Sequence, residues 1–143
     1  MGPLTYYLDT SVLVALIKPE PKSGDADRFI RQNPTRLVVS DFAAAEFASA
    51  TARWVRTQEL DPAGGRTALQ SFDLWLARSA RLVEIDPADI ALAAIFLRRL
   101  DLPLRTPDAI HLAITERLGA TLVTFDRRMA DSARALGCPV ETP

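Results

Sequence analysis

The sequence predicts an α/β domain built on a mostly parallel sheet with helices on both faces. Short β-rich runs alternate with longer helical stretches along the whole chain. Those runs are too continuously apolar to have one wet face. Two of them end on an aspartate followed directly by a helix start, as crossover connections between parallel strands require.

The first run, residues 4–8, is brief, aromatic and β-rich, and it delivers Asp9 at its C-terminal end. Thr10 and Ser11 lead into a short helix over 12–18, stopped by Pro19 and Pro21. A second helix spans about 23–32, until Asn33-Pro34 breaks it. Leu37, Val38 and Val39 form the next strand, and Ser40 or Asp41 caps a long helix over about 42–57. Asp61-Pro62 opens another helix, which Gly64-Gly65 weakens before a periodic stretch over 67–77. A third strand at 82–85 is followed by Asp86-Pro87 as the cap of a helix over 88–100, where Ile90, Ala93, Ala94 and Leu97 recur at helical spacing. Thr106-Pro107 starts a helix that Gly119 ends. The fourth strand, 121–125, leads to Asp126 and to a last amphipathic helix with Met129, Ala133 and Leu136, after which 138–140 adds an edge strand.

A chain of 143 residues with 48% hydrophobic and 24% charged residues is one domain with an ordinary core. The 18 acidic and 17 basic residues give a net charge of −1, so a polyanionic partner must meet a local basic patch rather than bulk charge. The single cysteine, Cys138, excludes an internal disulfide. The longest apolar run, 90–97, falls far short of the roughly 18 residues that span a membrane. No basic start of a secretory signal precedes the first strand, so the expected location is the cytoplasm. One histidine, His111, and lysines only at 18 and 22 exclude chemistry that needs a histidine pair or a lysine late in the chain.

Four carboxylates stand out. Asp9 and Asp126 end strands, where aspartate commonly caps the next helix, and Asp108 sits in a first helical turn, where the helix dipole favours it by roughly 0.3–1 kcal/mol. Asp61 and Asp86, each before a proline, are caps alone. Glu46 lies more than a turn inside its helix among Ala43, Ala44, Ala45, Phe47 and Ala48, where a charge needs a partner. The purely structural alternative is a salt bridge to an arginine such as Arg53.

The joint pattern says more, because all four acids can converge on the rim formed by the C-terminal strand ends, where sites open in such sheets. Gathered carboxylates repel unless a cation joins them. Oxygen ligands without a histidine or cysteine cluster select Mg²⁺ or Mn²⁺ over zinc. Such an ion binds phosphate oxygens and acidifies a bound water, which makes phosphodiester hydrolysis the natural chemistry. Thr10, Ser11, Thr106 and Thr124 stand beside the acids, as orienting hydroxyls or as caps. His111, three residues after Asp108, shares its helix face and is weighed between a packed core residue and a site residue.

Tyr7-Leu8-Asp9-Thr10-Ser11-Val12-Leu13, Ser40 to Glu46 with its alanines, Arg105-Thr106-Pro107-Asp108-Ala109-Ile110-His111-Leu112-Ala113 and Leu122-Val123-Thr124-Phe125-Asp126 resemble the PIN-domain ribonucleases. The likeness is closest to the VapC-type toxins of bacterial toxin–antitoxin pairs. It implies a single PIN-like domain over 1–143, a three-layer α/β/α sandwich with a mostly parallel central sheet. It implies a metal-dependent endoribonuclease with Asp9, Glu46, Asp108 and Asp126 as the catalytic quartet. Asp9 and Asp108 would be the direct ligands of Mg²⁺ or Mn²⁺, with Glu46 and Asp126 acting through water or at a second ion. The resemblance further implies a structured RNA substrate such as tRNA or rRNA, a homodimer, and a cognate antitoxin protein whose C-terminal segment covers the acidic groove.

Cationic positions that RNA could meet are Lys18, Lys22, Arg53, Arg56, Arg98, Arg99, Arg105, Arg127 and Arg128, with the pair directly after Asp126 the best placed. Phe42, Trp54 and Trp75 are either stacking platforms or core. A phosphoryl-accepting signalling domain would need a late lysine, and a haloacid-type phosphatase an aspartate where Ser11 stands. G-x-S-x-G and G-x-x-x-x-G-K-[ST] are absent. The alternative from another class is a catalytically silent PIN-like module that binds a partner protein through its acids.

Overall fold

Alternation inside very short strands builds two cores. The computed structural model describes residues 4–143. In β1 (Tyr6–Leu8), Tyr6 and Leu8 face one side of the sheet and Tyr7 the other. In β2 (Leu37–Ser40) and β4 (Thr121–Val123), Leu37, Val39 and Val123 join the side of Tyr6, while Val38 and Leu122 join that of Tyr7.

The first side is covered by α1 (Thr10–Ile17), α2 (Ser23–Gln32), α3 (Asp41–Arg56) and α4 (Pro62–Ser79), through Val12, Leu13, Phe29, Phe47, Trp54 and Phe72. The second is covered by α5 (Pro87–Leu97), α6 (Thr106–Leu118) and α7 (Arg127–Ala135), through Phe96, Ile110, Leu112, Ile114 and Met129. With β3 (Arg81–Val83) and β5 (Val140–Glu141), the sheet has five strands in the order β3-β2-β1-β4-β5, and every pairing is parallel. This is the expected α/β/α sandwich.

The winding places the site. From β1 the chain steps outward to β2 and β3, then returns to the other side of β1 for β4 and β5. Strand order therefore reverses between β1 and β4, with Tyr7 paired to Val38 on one side and Leu122 on the other. Crevices for ligands open at the carboxyl ends of strands flanking such a reversal. Asp9 follows β1 and Asp126 follows β4, so the two stand on either side of it.

Several boundaries differ from the sequence reading. β1 excludes residues 4 and 5, and β4 stops at Val123 because Thr124 and Phe125 turn into the site. The third strand is 81–83 rather than 82–85, and its Arg81 and Leu82 are exposed. It is a sheet edge, not the doubly covered strand its apolar residues suggested. α5 ends at Leu97 and the last strand is Val140–Glu141.

The largest difference is α4, which starts at Pro62 and runs straight through the glycines. A Cβ on Gly65 would lie 2.7 Å from Val55 Cγ2, so the missing side chain lets α4 approach α3. Ser40, not Asp41, caps α3, accepting from Ala43 N at 2.9 Å. Asp41 accepts from Ile85 N at 2.8 Å instead, which ties α3 to the segment after β3. Among the described residues, no helix is long and apolar enough to cross a membrane.

Candidate active site

Asp9 is only 3% exposed at the end of the central strand. Its Oδ1 accepts from Ser11 Oγ at 2.6 Å and from Val12 N at 3.3 Å, so it is the N-cap of α1. Its Oδ2 accepts from Thr124 Oγ1 at 2.5 Å. The same two hydroxyls lace the strand ends together: Ser11 Oγ accepts from Phe125 N, and Thr124 Oγ1 from Asp126 N, each at 3.0 Å. No lysine or arginine among the described residues pairs with Asp9. Burial pushes its carboxyl above the ordinary aspartate range, and attraction to the His111 ring, with the hydrogen bonds from Ser11, Thr124 and Val12 N, offsets that only in part.

Glu46 reaches the same region from α3. Its Oε1 accepts from Thr10 Oγ1 at 2.6 Å and from His111 Nε2 at 2.5 Å. A salt bridge to Arg53 is not what holds it; α6 brings an imidazole where the sequence offered an arginine about two helical turns away. Burial alone would raise this carboxyl. The His111 and Thr10 hydrogen bonds and the charge of Arg105 outweigh burial and hold it below its usual range. His111 is itself 3% exposed, so both readings of it apply: a buried core residue, bonded to a cleft acid.

Asp108 and Asp126 keep their helix-start roles. Asp108 Oδ2 accepts from Arg105 N at 3.1 Å, and Asp126 Oδ1 accepts from Arg128 N at 2.9 Å and Met129 N at 3.2 Å. Each cap occupies one oxygen. Asp108 Oδ1, Asp126 Oδ2 and Glu46 Oε2 accept no hydrogen bond among the described residues. Asp9, Glu46, Asp108 and Asp126 line one cleft of about 360 Å³, together with Thr10, Ser11, Arg105 and His111.

Among the described residues, no three acidic, imidazole or thiol groups stand close enough together to hold a metal ion by themselves. Oxygen donors spread around an open cleft fit a hard ion that keeps several waters and takes only one or two protein carboxylates beside substrate phosphates, as Mg²⁺ does.

A family model described as the PIN domain matches residues 6–135. The chain belongs to the PIN-domain family. It is 37% identical over 140 residues to "Ribonuclease VapC46" of Mycobacterium tuberculosis, a match covering 96% of each chain. Among solved structures it resembles Mycobacterium tuberculosis VapC20, described as a sarcin-ricin loop cleaving toxin, with a TM-score of 0.73 at 20% identity over 90% of this chain and 95% of that one. It also resembles VapBC2 from Rickettsia felis bound to a DNA fragment from their promoter, with a TM-score of 0.72 at 18% identity over 96% and 98% of the two chains.

In this PIN domain the acidic cleft has basic shoulders. A neighbouring hollow of about 380 Å³ shares Thr10, Ser11 and Glu46 with it and carries Lys22 and Arg53. A further hollow of about 280 Å³ shares Arg105, Asp108 and Asp126 with the cleft and carries Arg127 and Arg128. These five are the local patch that a net charge of −1 left to be found. Lys18 pairs with Glu59 at 3.6 Å and lies over the Trp54 ring, and Arg99 pairs with Asp101 at 2.8 Å. Trp54 is core at 5% exposure, Trp75 stacks on Phe72, and Phe42 packs edge-on to His111. Two polar residues of the PIN domain escaped the sequence reading: Tyr7, which looked like an apolar strand residue, and Ser40, which looked only like a cap.

Proposed function

We propose that this PIN domain is a divalent-metal-dependent endoribonuclease that acts as the toxin of a toxin–antitoxin pair. One observation carries the reading: four carboxyls from four separate segments line a single cleft at the strand-order reversal, with arginines and a lysine in the hollows that adjoin it. A surface that only binds a partner has no need to bury Asp9 without a cation.

Asp9 and Asp108 would hold Mg²⁺ or Mn²⁺, with Glu46 and Asp126 acting through water or at a second ion. When bound, the ion neutralises phosphate charge and acidifies the attacking water. The protein's own work is positional. Ser11 and Thr124 orient Asp9, Thr10 and His111 orient Glu46, and the caps of α6 and α7 fix Asp108 and Asp126. Arg127 and Arg128 are exposed beside the acids and would hold the RNA backbone there, and Lys22 and Arg53 would hold it along the adjoining hollow.

A structured RNA such as tRNA or rRNA is the proposed substrate, and the cytoplasm the proposed location. The VapBC neighbours support an antitoxin partner, whose C-terminal segment would cover the acidic groove. A homodimer is proposed on the outward strip of α5, where Ile90 and Ile95 are 50% and 62% exposed with Ala91 and Ala94 between them.

The test is induction of the wild type and of Asp9→Asn in a bacterial host without a partner gene, with new RNA 5′ ends mapped. Growth arrest and new ends with the wild type alone are expected. Retained cleavage by Asp9→Asn overturns the assignment of the site. Absence of cleavage by the wild type, joined to absence of Mn²⁺ binding in calorimetry, leaves a partner-binding module.

A further inference from the structure

Tyr7 lies at the centre of the middle strand, fully buried, with a hydroxyl that neither sheet pairing nor apolar packing requires. That hydroxyl is 2.7 Å from Ser40 Oγ and 2.6 Å from His111 Nδ1, and His111 Nε2 meets Glu46 Oε1 at 2.5 Å. Ser40 and His111 are 0% and 3% exposed, so solvent does not compete for these bonds. Four polar groups from β1, β2, α3 and α6 thus form one row that runs from the cap of α3 to the acidic cleft.

The row has one direction. A carboxylate only accepts, so Nε2 carries the hydrogen that meets Glu46. In the neutral ring Nδ1 is then left to accept the Tyr7 O–H, and burial pushes the phenol far above its ordinary range, which keeps it a donor. Ser40 Oγ accepts from Ala43 N and gives its own hydrogen to Tyr7. With this assignment no hydrogen in the row lacks an acceptor, as buried polar groups require.

Glu46 needs such support. Ala43 and Ala45 are among its neighbours along α3, and no bulky side chain on that turn restricts its rotamers except Phe42, which packs on the His111 ring at 5.1 Å. We propose that Tyr7, with Ser40 behind it, is a positioning residue that acts through His111 to hold the Glu46 carboxylate in the cleft. Its consequence for catalysis rests on the nuclease reading above; its geometry rests on the hydrogen bonds alone.

Tyr7→Phe removes one oxygen and leaves every cleft acid in place. Tyr6→Phe is the control, since Tyr6 faces the other core. His111 is the only histidine, so histidine labelled with ¹⁵N reports this one ring. In the wild type at about pH 8, Nε2 is expected to bear the hydrogen, Nδ1 to be bare, and the Nε2–H to exchange slowly. In Tyr7→Phe the Nδ1 signal should move and the Nε2–H exchange faster. In the same variant kcat on RNA should fall about tenfold or more with KM within about twofold, the size of loss typical when the support of an active carboxylate is removed. Tyr6→Phe should change none of these.

A hydrogen on Nδ1 in the wild type overturns the proposal, as does an unaltered ring spectrum in Tyr7→Phe or a kcat loss that only tracks the folded fraction. If Tyr7→Phe does not fold, Ser40→Gly removes the far end of the row at a position where glycine is a tolerated cap, and an unmoved ring spectrum there has the same force. Should the wild type cut no RNA, the nuclease reading falls while the ring spectra still decide the geometry.

Discussion

Two aspartates are buried to nearly the same depth and provided for in opposite ways. Asp89, 1% exposed, meets the Arg117 guanidinium at 2.8 and 3.0 Å through both of its oxygens and also accepts from Asp86 N. It clasps α5 to α6 and is complete within the protein. Asp9, 3% exposed, is met by two hydroxyls and one backbone N–H, and no arginine or lysine reaches it. A fold that supplies a fork of guanidinium hydrogens to one buried acid, and withholds it from another at the strand-order reversal, supports the proposal that the second is where a divalent cation would bind.

The comparison breaks most visibly in cleavage. Asp9→Asn should lower RNA cleavage on the order of a thousandfold, because several kcal/mol of charge stabilisation at the phosphate go with it. Its melting temperature should stay within about 3 °C of the wild type in calorimetry. Relief of a buried charge offsets the poor fit of an amide nitrogen against Ser11 or Thr124. Asp89→Ala should show the reverse: a loss of roughly 3 kcal/mol or more in denaturant titration, since Arg117 is left without its partner, with cleavage per folded molecule retained. Arg117→Lys, which keeps the charge and loses the fork, should cost about 1 kcal/mol in the same titration.

The smallest effect sharpens the contrast through pH. In EDTA, the raised carboxyl of Asp9 contributes stability that is fully present below the ordinary 3.8 and is lost as pH rises through its folded value. Asp9→Asn should therefore gain on the wild type in melting temperature as pH rises from the ordinary 3.8 through the raised folded value. Glu46, held low, has the opposite sign: its contribution is present above the ordinary 4.5 and is lost as pH falls through the folded value. The deficit of Glu46→Gln should accordingly close on acidification.

The sequence made the fold and the gathering of the four acids legible for a physical reason. Asp9 and Asp126 each follow an apolar run that only a covered strand explains, and strand ends in a parallel sheet share one rim. What stayed hidden depends on distant neighbours. Gly65 looked like a weakness because its reason, Val55, lies in another helix. The partner of Glu46 was misjudged because Arg53 is near in sequence, while His111 is near only after α6 packs beside α3. The polar use of Tyr7 has no local sign at all, since its hydroxyl finds partners 33 and 104 positions away.

The Thr124 hydroxyl that grips Asp9 stands 115 positions further along the chain, and β1 is flanked by β4. Closing so long a loop comes late, because its entropic cost must be met before the contact rewards it. During synthesis, a chain that has not yet passed Asp126 has no grip on Asp9 and lacks one of the four acids. Each molecule is therefore harmless for most of its own translation, and an RNA-cutting activity appears only when the last helix is in place, which gives an inhibitor time to be waiting.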